Sequence, residues 1–382
     1  MKKILLFIFF FILPFIFVSA EEDLAPNAGS AIMIEASTGE ILFKKNENAK
    51  MPPASMTKMM SLLLIFEEID KGNIKWDEMI TASEHASSMG GSQIFLKVGE
   101  KMSTLDLVKG ITIASGNDAT VAMAERVSGT EEAFVKKMNE KARSLGLKST
   151  NFINATGLDA DNHYSSAYDM AMIAKELIKH EKVLEFSSTY EDYLRKDTDN
   201  PFWLVNTNRL VKFYPEIDGL KTGFTNGAGY CLTATGKKDG MRLITVVMNE
   251  ADTGKRSADT KKMMDYGFNV YMVENIIDKN TTIEKVEVEL GKELTTEIVP
   301  KETITILSKK SDKKRNITYE TDVKTIVAPV KKGKVVGIIN IIEDGNVVSK
   351  VDATIKEDIE KADIFTVFIR NMKKMLEMSI NF

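Results

Sequence analysis

Ser55 and Lys58 stand three residues apart in Ser55-Met56-Thr57-Lys58, a spacing that on a helix puts both side chains on one face with Cβ atoms about 5–6 Å apart. A serine hydroxyl is a poor nucleophile until a base takes its proton, and a lysine at that distance can be the base. The surrounding residues predict the helix: Pro52 and Pro53 form an extended lead-in, Met56 to Ile69 is nearly uninterrupted Met, Leu, Ile and Phe, and Asp70-Lys71-Gly72 ends it. A helix apolar on all sides belongs in the middle of a domain. Ser55 is expected at its N-terminus, where free N–H groups and the positive dipole end favour negative charge on the attacking oxygen. Burial and a second cation nearby would bring the pKa of Lys58 towards that of a usable base. The spacing also recurs without catalytic meaning, so the case rests on what accompanies it.

Two further strings qualify as companions. Ser115-Gly116-Asn117 lies between helical patterns: Ser103 with Asp106 reads as a cap opening a helix through Leu105, Val108 and Ile111, and Ala119 to Val127 reads as the next. It is a tight inter-helix turn made of common turn formers. Lys221-Thr222-Gly223 precedes a hairpin in which Tyr230 to Thr235 alternates, Asp239-Gly240 turns and Leu243 to Met248 returns. A lysine and a threonine on an edge strand can hold a carboxylate, and a glycine lets a ligand approach the backbone. A solvated edge lysine that discourages strand pairing fits the same pattern.

Composition removes other chemistries. A net charge of −4 on 382 residues argues against a nucleic-acid partner, which calls for a basic domain or stripe. Lys309-Lys310 and Lys313-Lys314-Arg315 form a local basic cluster of the kind common in solvated loops. The single cysteine, Cys231, excludes an internal disulfide and reads as a small buried hydrophobe. His85, His163 and His180 come without HExxH or paired-cysteine spacing, so no metal site and no cofactor are expected. No serine has glycine two residues away on both sides, which leaves a GxSxG hydrolase unsupported. Residues 1–20 carry Lys2-Lys3, an apolar run from Ile4 to Val18 and Val18-Ser19-Ala20, the three regions of a secretory signal. The apolar run is shorter than the roughly 20 residues that span a bilayer, which favours cleavage over a retained anchor. Either form exports the body of the protein.

The three strings resemble the SxxK, SxN and KTG elements of the penicillin-binding proteins and serine β-lactamases. The likeness extends over AIMIEASTGEILFKKN, PPASMTKMM, GITIASGNDATVAMAE, NHYSSAYDMAMIAKELI, IDGLKTGFTNGAGYCLTATG and APVKKGKVVG. With the leader and the tail it spans essentially the whole chain, which is similar to the low-molecular-mass D-alanyl-D-alanine carboxypeptidases of peptidase family S11. That resemblance implies that Ser55, deprotonated by Lys58, attacks the penultimate D-alanine of a peptidoglycan stem peptide. It further implies that Ser115 relays a proton to the leaving amine and that Asn117 bonds Lys58 and the substrate amide. Lys221 and Thr222, helped by Arg256, would bind the terminal carboxylate, with Gly223 giving close approach. The backbone N–H groups of Ser55 and Phe224 would form an oxyanion hole, typically worth about 2.7–4 kcal/mol per donor. β-Lactams are then expected as covalent inhibitors. Two positions depart from well-known relatives: Phe224 stands where some carry histidine, and Thr207, within Asn206-Thr207-Asn208-Arg209, where some carry arginine. Arg209 and Arg256 both remain open as the carboxylate's partner. His163, in the NHYS segment, is expected in structural hydrogen bonding beside the site.

Residues 24–275 mix strands and helices, with strands at Ala31–Ala36 and Ile41–Phe43 joined through Thr38-Gly39. The resemblance implies an α+β transpeptidase fold here, an antiparallel sheet against helices with a helical subdomain inserted. Residues 280–357 switch to alternation, at Val286, Val288 and Leu290, Thr303 to Leu307, Val323 to Val327, Val335 to Ile342 and Val347 to Val351, and predict a small all-β sandwich. Residues 360–382 gather Ile364, Phe365, Phe368, Ile369, Met372, Met375 and Leu376 on one helical face, opposite Arg370, Lys373 and Lys374. Such a helix suits the membrane interface, lying flat, and for an exported chain that is expected to be the outer face of the cytoplasmic membrane. It also suits docking on its own domain or a second subunit.

Rival activities share the machinery. A class A β-lactamase needs a deacylating glutamate in an ExxLN-type setting, and none is found between Asn154 and Asn206. A D,D-endopeptidase or transpeptidase uses the same three strings. A non-catalytic wall-binding scaffold has no need of Ser55, Lys58, Ser115, Asn117 and Lys221 together.

Overall fold

The computed structural model describes residues 22–312, 315–370 and 372. The expected leader, Lys313 and Lys314, and most of the expected tail helix lie outside the described residues.

The strand sequence Ser-Ala-Ile-Met-Ile-Glu at Ser30–Glu35 is apolar without alternation, and every residue of it is buried. The reason is a sheet covered on both faces. Its five antiparallel strands run in the spatial order Ile41–Lys45, Ser30–Glu35, Met241–Glu250, Gly229–Lys238 and Ile217–Thr225. Because side chains alternate across a sheet, Ile32, Ile34, Ile244, Val246 and Met248 enter one core. Ala31, Met33, Leu243 and Val247 enter a second, under Met263, Met264 and Phe268 of the helix Thr253–Val270. A Cβ on Gly267 would lie 2.4 Å from Leu243 Cδ1, so that helix touches the sheet closely where it lacks a side chain.

The first core is built around the helix Lys58–Asp70, buried at every position from Lys58 to Phe66. Further helices pack around it: Thr104–Ala114, Asn117–Ser128, Glu131–Ser144 and Ala167–Leu177. Their starts follow from capping: Ser103 Oγ accepts from Asp106 N at 3.1 Å, Thr130 Oγ1 from Ala133 N at 3.1 Å, and Ser166 Oγ from Asp169 N at 3.1 Å. This is the mixed α/β architecture expected for the larger region.

The second region has its own core of Ile298, Ile304, Ile339, Ile341 and Ile355, among others. A six-stranded sheet and a two-stranded one carry it. Two strands had no sequence-based expectation, Thr295–Pro300 and Tyr271–Ile277. Tyr271–Ile277 pairs with Ile304–Lys309 of the β region although it begins inside the span assigned to the first. The expected strand from Val323 to Val327 is reduced to Ile326–Val327, while Val323 ends a further strand, Ile317–Val323, that lies before the expected span and joins a different neighbour. The regions are also tied by Leu307, which enters the core of the first, and by Ser37 Oγ and Thr305 Oγ1 at 2.8 Å. Residues 364–370 are helical, and no helix among the described residues is long and apolar enough to cross a membrane.

Candidate active site

Ser55 lies in a 3₁₀ turn, Ala54–Thr57, and the α-helix begins only at Lys58. The expected helix therefore starts two residues late. Its cause is local: Ala54 has a left-handed φ of 47°, which no α-helix accepts, and the turn closes through Met56 N to Pro53 O at 3.2 Å. Residues i and i+3 eclipse in such a turn, which aligns the serine with the lysine. Lys58 Nζ donates to Ser55 Oγ at 2.9 Å.

Lys58 has a second partner that sequence reasoning missed, the Thr156 carbonyl at 2.7 Å. The ammonium is fully buried, and its pKa is held well below the usual 10.5, first by burial and then by the charge of Lys221, against the opposing pull of Asp118.

Lys221-Thr222-Gly223 is the middle of the edge strand Ile217–Thr225, with Lys221 opposite Thr233. A Cβ on Gly223 would stand 2.8 Å from Pro53 O and 3.2 Å from Ser55 N, so the bare glycine lets the strand lie against the serine's turn. Lys221 Nζ donates to Thr222 O at 2.8 Å. Its pKa falls to about 7, through burial and then the nearby Arg256. Thr222 Oγ1 donates to Thr207 Oγ1 at 2.7 Å, so the threonine at the position noted above bonds the third string directly. Phe224 is half exposed and stacks on Tyr230, ring centroids 4.3 Å apart.

Of the two arginines left open, Arg209 is exposed, whereas Arg256 is buried and its Nε has no hydrogen-bond partner among the described residues. Glu250 is buried nearby, and burial together with Asp259 pushes its carboxyl up to about 8. At neutral pH it is largely uncharged and leaves the guanidinium uncompensated.

The middle string ends the helix Thr104–Ala114 with Ser115 in the left-handed region at φ 63° and starts Asn117–Ser128. Ser115 Oγ is buried with no partner among the described residues. Asn117 differs from the resemblance's implication. Its Nδ2 donates to Gly90 O at 2.6 Å rather than meeting Lys58, and its Oδ1 has no partner among the described residues. The segment around Gly90 comes this close because a Cβ on Gly91 would sit 2.8 Å from that Nδ2. Asp118 fixes the same segment by accepting from Ile94 N and from Leu96 N at 3.0 Å. His163 has a structural part, as expected: its Nδ1 accepts from Ile153 N at 3.2 Å, so Nε2 carries the proton and donates to Thr57 Oγ1 at 2.9 Å. Burial brings its pKa down to about 4 and leaves it neutral.

The sequence model described as D-alanyl-D-alanine carboxypeptidase, peptidase S11, matches residues 17–252, and that of the penicillin-binding protein 5 C-terminal domain matches residues 271–361. The chain belongs to the S11 D-alanyl-D-alanine carboxypeptidase family. It is 51% identical to D-alanyl-D-alanine carboxypeptidase DacF of Bacillus subtilis (strain 168) over 351 residues, covering 92% of this chain and 90% of that protein. Penicillin binding protein 5 from Haemophilus influenzae superposes with a TM-score of 0.71 at 30% identity, over 88% of this chain and 98% of that one. Ampicillin-bound penicillin-binding protein D2 from Listeria monocytogenes, 33% identical, gives a TM-score of 0.57 over 63% of this chain and 98% of its own.

Within this S11 chain the first and third strings meet directly through Gly223, and the first and second through residues 154–158, since Leu158 Cδ2 and Asn117 Nδ2 both flank Gly91. The acceptor for Lys58 was missed because it is a backbone carbonyl. Its available signal was Asn154 followed three residues later by Gly157, a turn-forming pair.

Proposed function

We propose that Ser55 is the residue acylated in this chain, a serine D-alanyl-D-alanine carboxypeptidase acting on peptidoglycan. The observation that carries the assignment is the 2.9 Å hydrogen bond from Lys58 Nζ to Ser55 Oγ inside a buried site that disfavours the ammonium form. Neutral Lys58 takes the Ser55 proton as Oγ attacks the carbonyl of the penultimate D-alanine. The C–N bond breaks, Ser115 passes a proton to the departing amine, and D-alanine leaves an ester on Ser55. Water then cleaves the ester and restores the hydroxyl.

Lys221, Thr222 and Arg256 receive the terminal carboxylate. Burial and Arg256 bring the pKa of Lys221 to about 7, and an arriving carboxylate draws it towards the charged form, because an opposite charge favours the ammonium. Asn117 Oδ1, without a partner among the described residues, is available to the substrate amide. The N–H groups of Ser55 and Phe224 supply the oxyanion hole, and the bare Gly223 lets the strand that carries Phe224 lie against Ser55 N. β-Lactams enter by the same acylation.

Fluorescent penicillin and a pentapeptide ending in D-Ala-D-Ala test this on wild type and Ser55→Ala. Label and free D-alanine from wild type only are expected. Equal labelling of the variant sinks the assignment, label without D-alanine release points to D,D-endopeptidase action, and rapid loss of label to a β-lactamase.

The C-terminal helix is the proposed foot on the outer face of the cytoplasmic membrane. Ile364, Phe365, Phe368, Ile369 and Met372 share one face and are exposed, Ile364 by 89%, a pattern suited to the lipid interface. Deleting residues 364–382 should move the protein from the membrane fraction to the soluble one; continued sedimentation with membranes would overturn this part.

A further inference from the structure

Residues 151–158 contain no helix and, beyond an isolated bridge at Asn151, no strand, and Phe152, Ala155, Thr156 and Gly157 are buried, so the backbone groups there must find other partners. They find side chains. Ile153 N donates to His163 Nδ1, and Ala155 N donates to Glu131 Oε1 at 2.9 Å. Glu131 is braced from outside by His85 at 2.8 Å. Asn154 does most of the rest. Its Oδ1 accepts from Gly157 N at 2.7 Å, from Thr156 N at 3.2 Å and from Thr156 Oγ1 at 3.2 Å, while its Nδ2 donates to Leu158 O at 2.9 Å. One side chain thus closes the turn from both ends. The carbonyl left over at its apex, Thr156 O, is the one that accepts from Lys58 Nζ.

We propose that Asn154 is a positioning residue for the base: its closed turn aims the Thr156 carbonyl at Lys58 and so fixes both the place of the amine and its readiness to release a proton. The inference rests on the reading of Lys58 as the base. Asn154 makes its side-chain hydrogen bonds to residues 156–158 and none to Ser55 or Lys58 among the described residues, so it acts through the backbone it folds.

A carbonyl oxygen stabilises an ammonium more than an amine, so Thr156 O raises the pKa of Lys58 against the lowering by burial. The charged groups facing Lys58 from neighbouring elements are Lys221 on the strand Ile217–Thr225 and Asp118 on the helix Asn117–Ser128, and Arg256 lies behind Lys221. His163, next to Thr57, is neutral. None of these is hydrogen-bonded to Asn154, so a shift in the base's titration reports the turn.

The test is penicillin acylation of the full chain from about pH 5 to about pH 10, where the acid limb of the rate reports the base. Asn154→Ala should lower that limb by about one pH unit and slow acylation on the plateau about tenfold, because the amine loses an acceptor and its orientation. Asn154→Asp keeps the accepting oxygen and adds negative charge, so its limb should stay at or above that of wild type, with a rate within about threefold. If Asn154→Ala does not fold, Asn154→Ser, whose hydroxyl can still accept from Gly157 N, should show a smaller shift in the same direction. An acid limb unmoved in Asn154→Ala or Asn154→Ser, whatever the loss of thermal stability, overturns the proposal. Failure of wild type itself to label would instead remove the reading of Ser55 and Lys58 on which it rests.

Discussion

Two segments flank Lys58, and they are held by opposite means. The helix Lys58–Asp70 satisfies its own backbone and is fixed by apolar packing on every side. Residues 151–158 satisfy little of their own backbone and are fixed by single side chains reaching in from Asn154, His163, Glu131 and Ser61. A packed helix distributes its stability over many weak contacts, so a volume-conserving change such as Leu62→Met should cost under about 1.5 kcal/mol. The irregular segment concentrates it in a few directed bonds and close approaches, where one added methyl group can be decisive.

Gly157 is where that contrast should break most visibly. Its φ is +86°, and a Cβ there would lie 1.8 Å from Ala54 O and 2.9 Å from Thr57 Oγ1. The clash is with the backbone of the 3₁₀ turn that carries Ser55. Gly157→Ala must move the turn or the segment, and the left-handed strain adds to the overpacking, for a loss of about 3–5 kcal/mol. Denaturant unfolding measures the loss, and any folded fraction should label poorly with penicillin. A Gly157→Ala protein with wild-type stability and labelling would show that the two backbones are not in contact as described.

The same contrast explains what could be read from the sequence. Ser55, Lys58, Ser115, Lys221 and Thr222 were legible because their side chains carry chemistry at recognisable spacing, and the buried helix was legible because its residues are uniformly apolar. The 3₁₀ turn was not, since it depends on the left-handed conformation of Ala54, a residue whose type gives no hint of it. Thr156 was hidden for a deeper reason: every residue has a carbonyl, so a site built from one leaves no residue-type signature. Asn117 was legible as a site residue but not as a brace for Gly90, because that bond joins segments 27 residues apart. In the β region, Thr295–Pro300 escaped because Thr-Thr-Glu-Ile-Val-Pro neither alternates cleanly nor avoids proline.

Ser61 gives the finer cut between the two segments, because beside Lys58 it is a second polar link from the helix to the irregular one. Its hydroxyl is fully buried and donates to Ala155 O at 2.7 Å. Ser61→Ala removes that donor from the interior, and an interior carbonyl deprived of its donor costs about 1–3 kcal/mol. Thermal unfolding should register this drop. Acylation should change by less than about threefold, a small effect on a scale where a lost general base costs a hundredfold or more, because Thr156 O is aimed by the turn that Asn154 closes and not by the helix. The opposite pattern, intact stability with acylation slowed more than about tenfold, would mean that the helix positions the carbonyl for its own lysine, and the two segments would then be one mechanical unit.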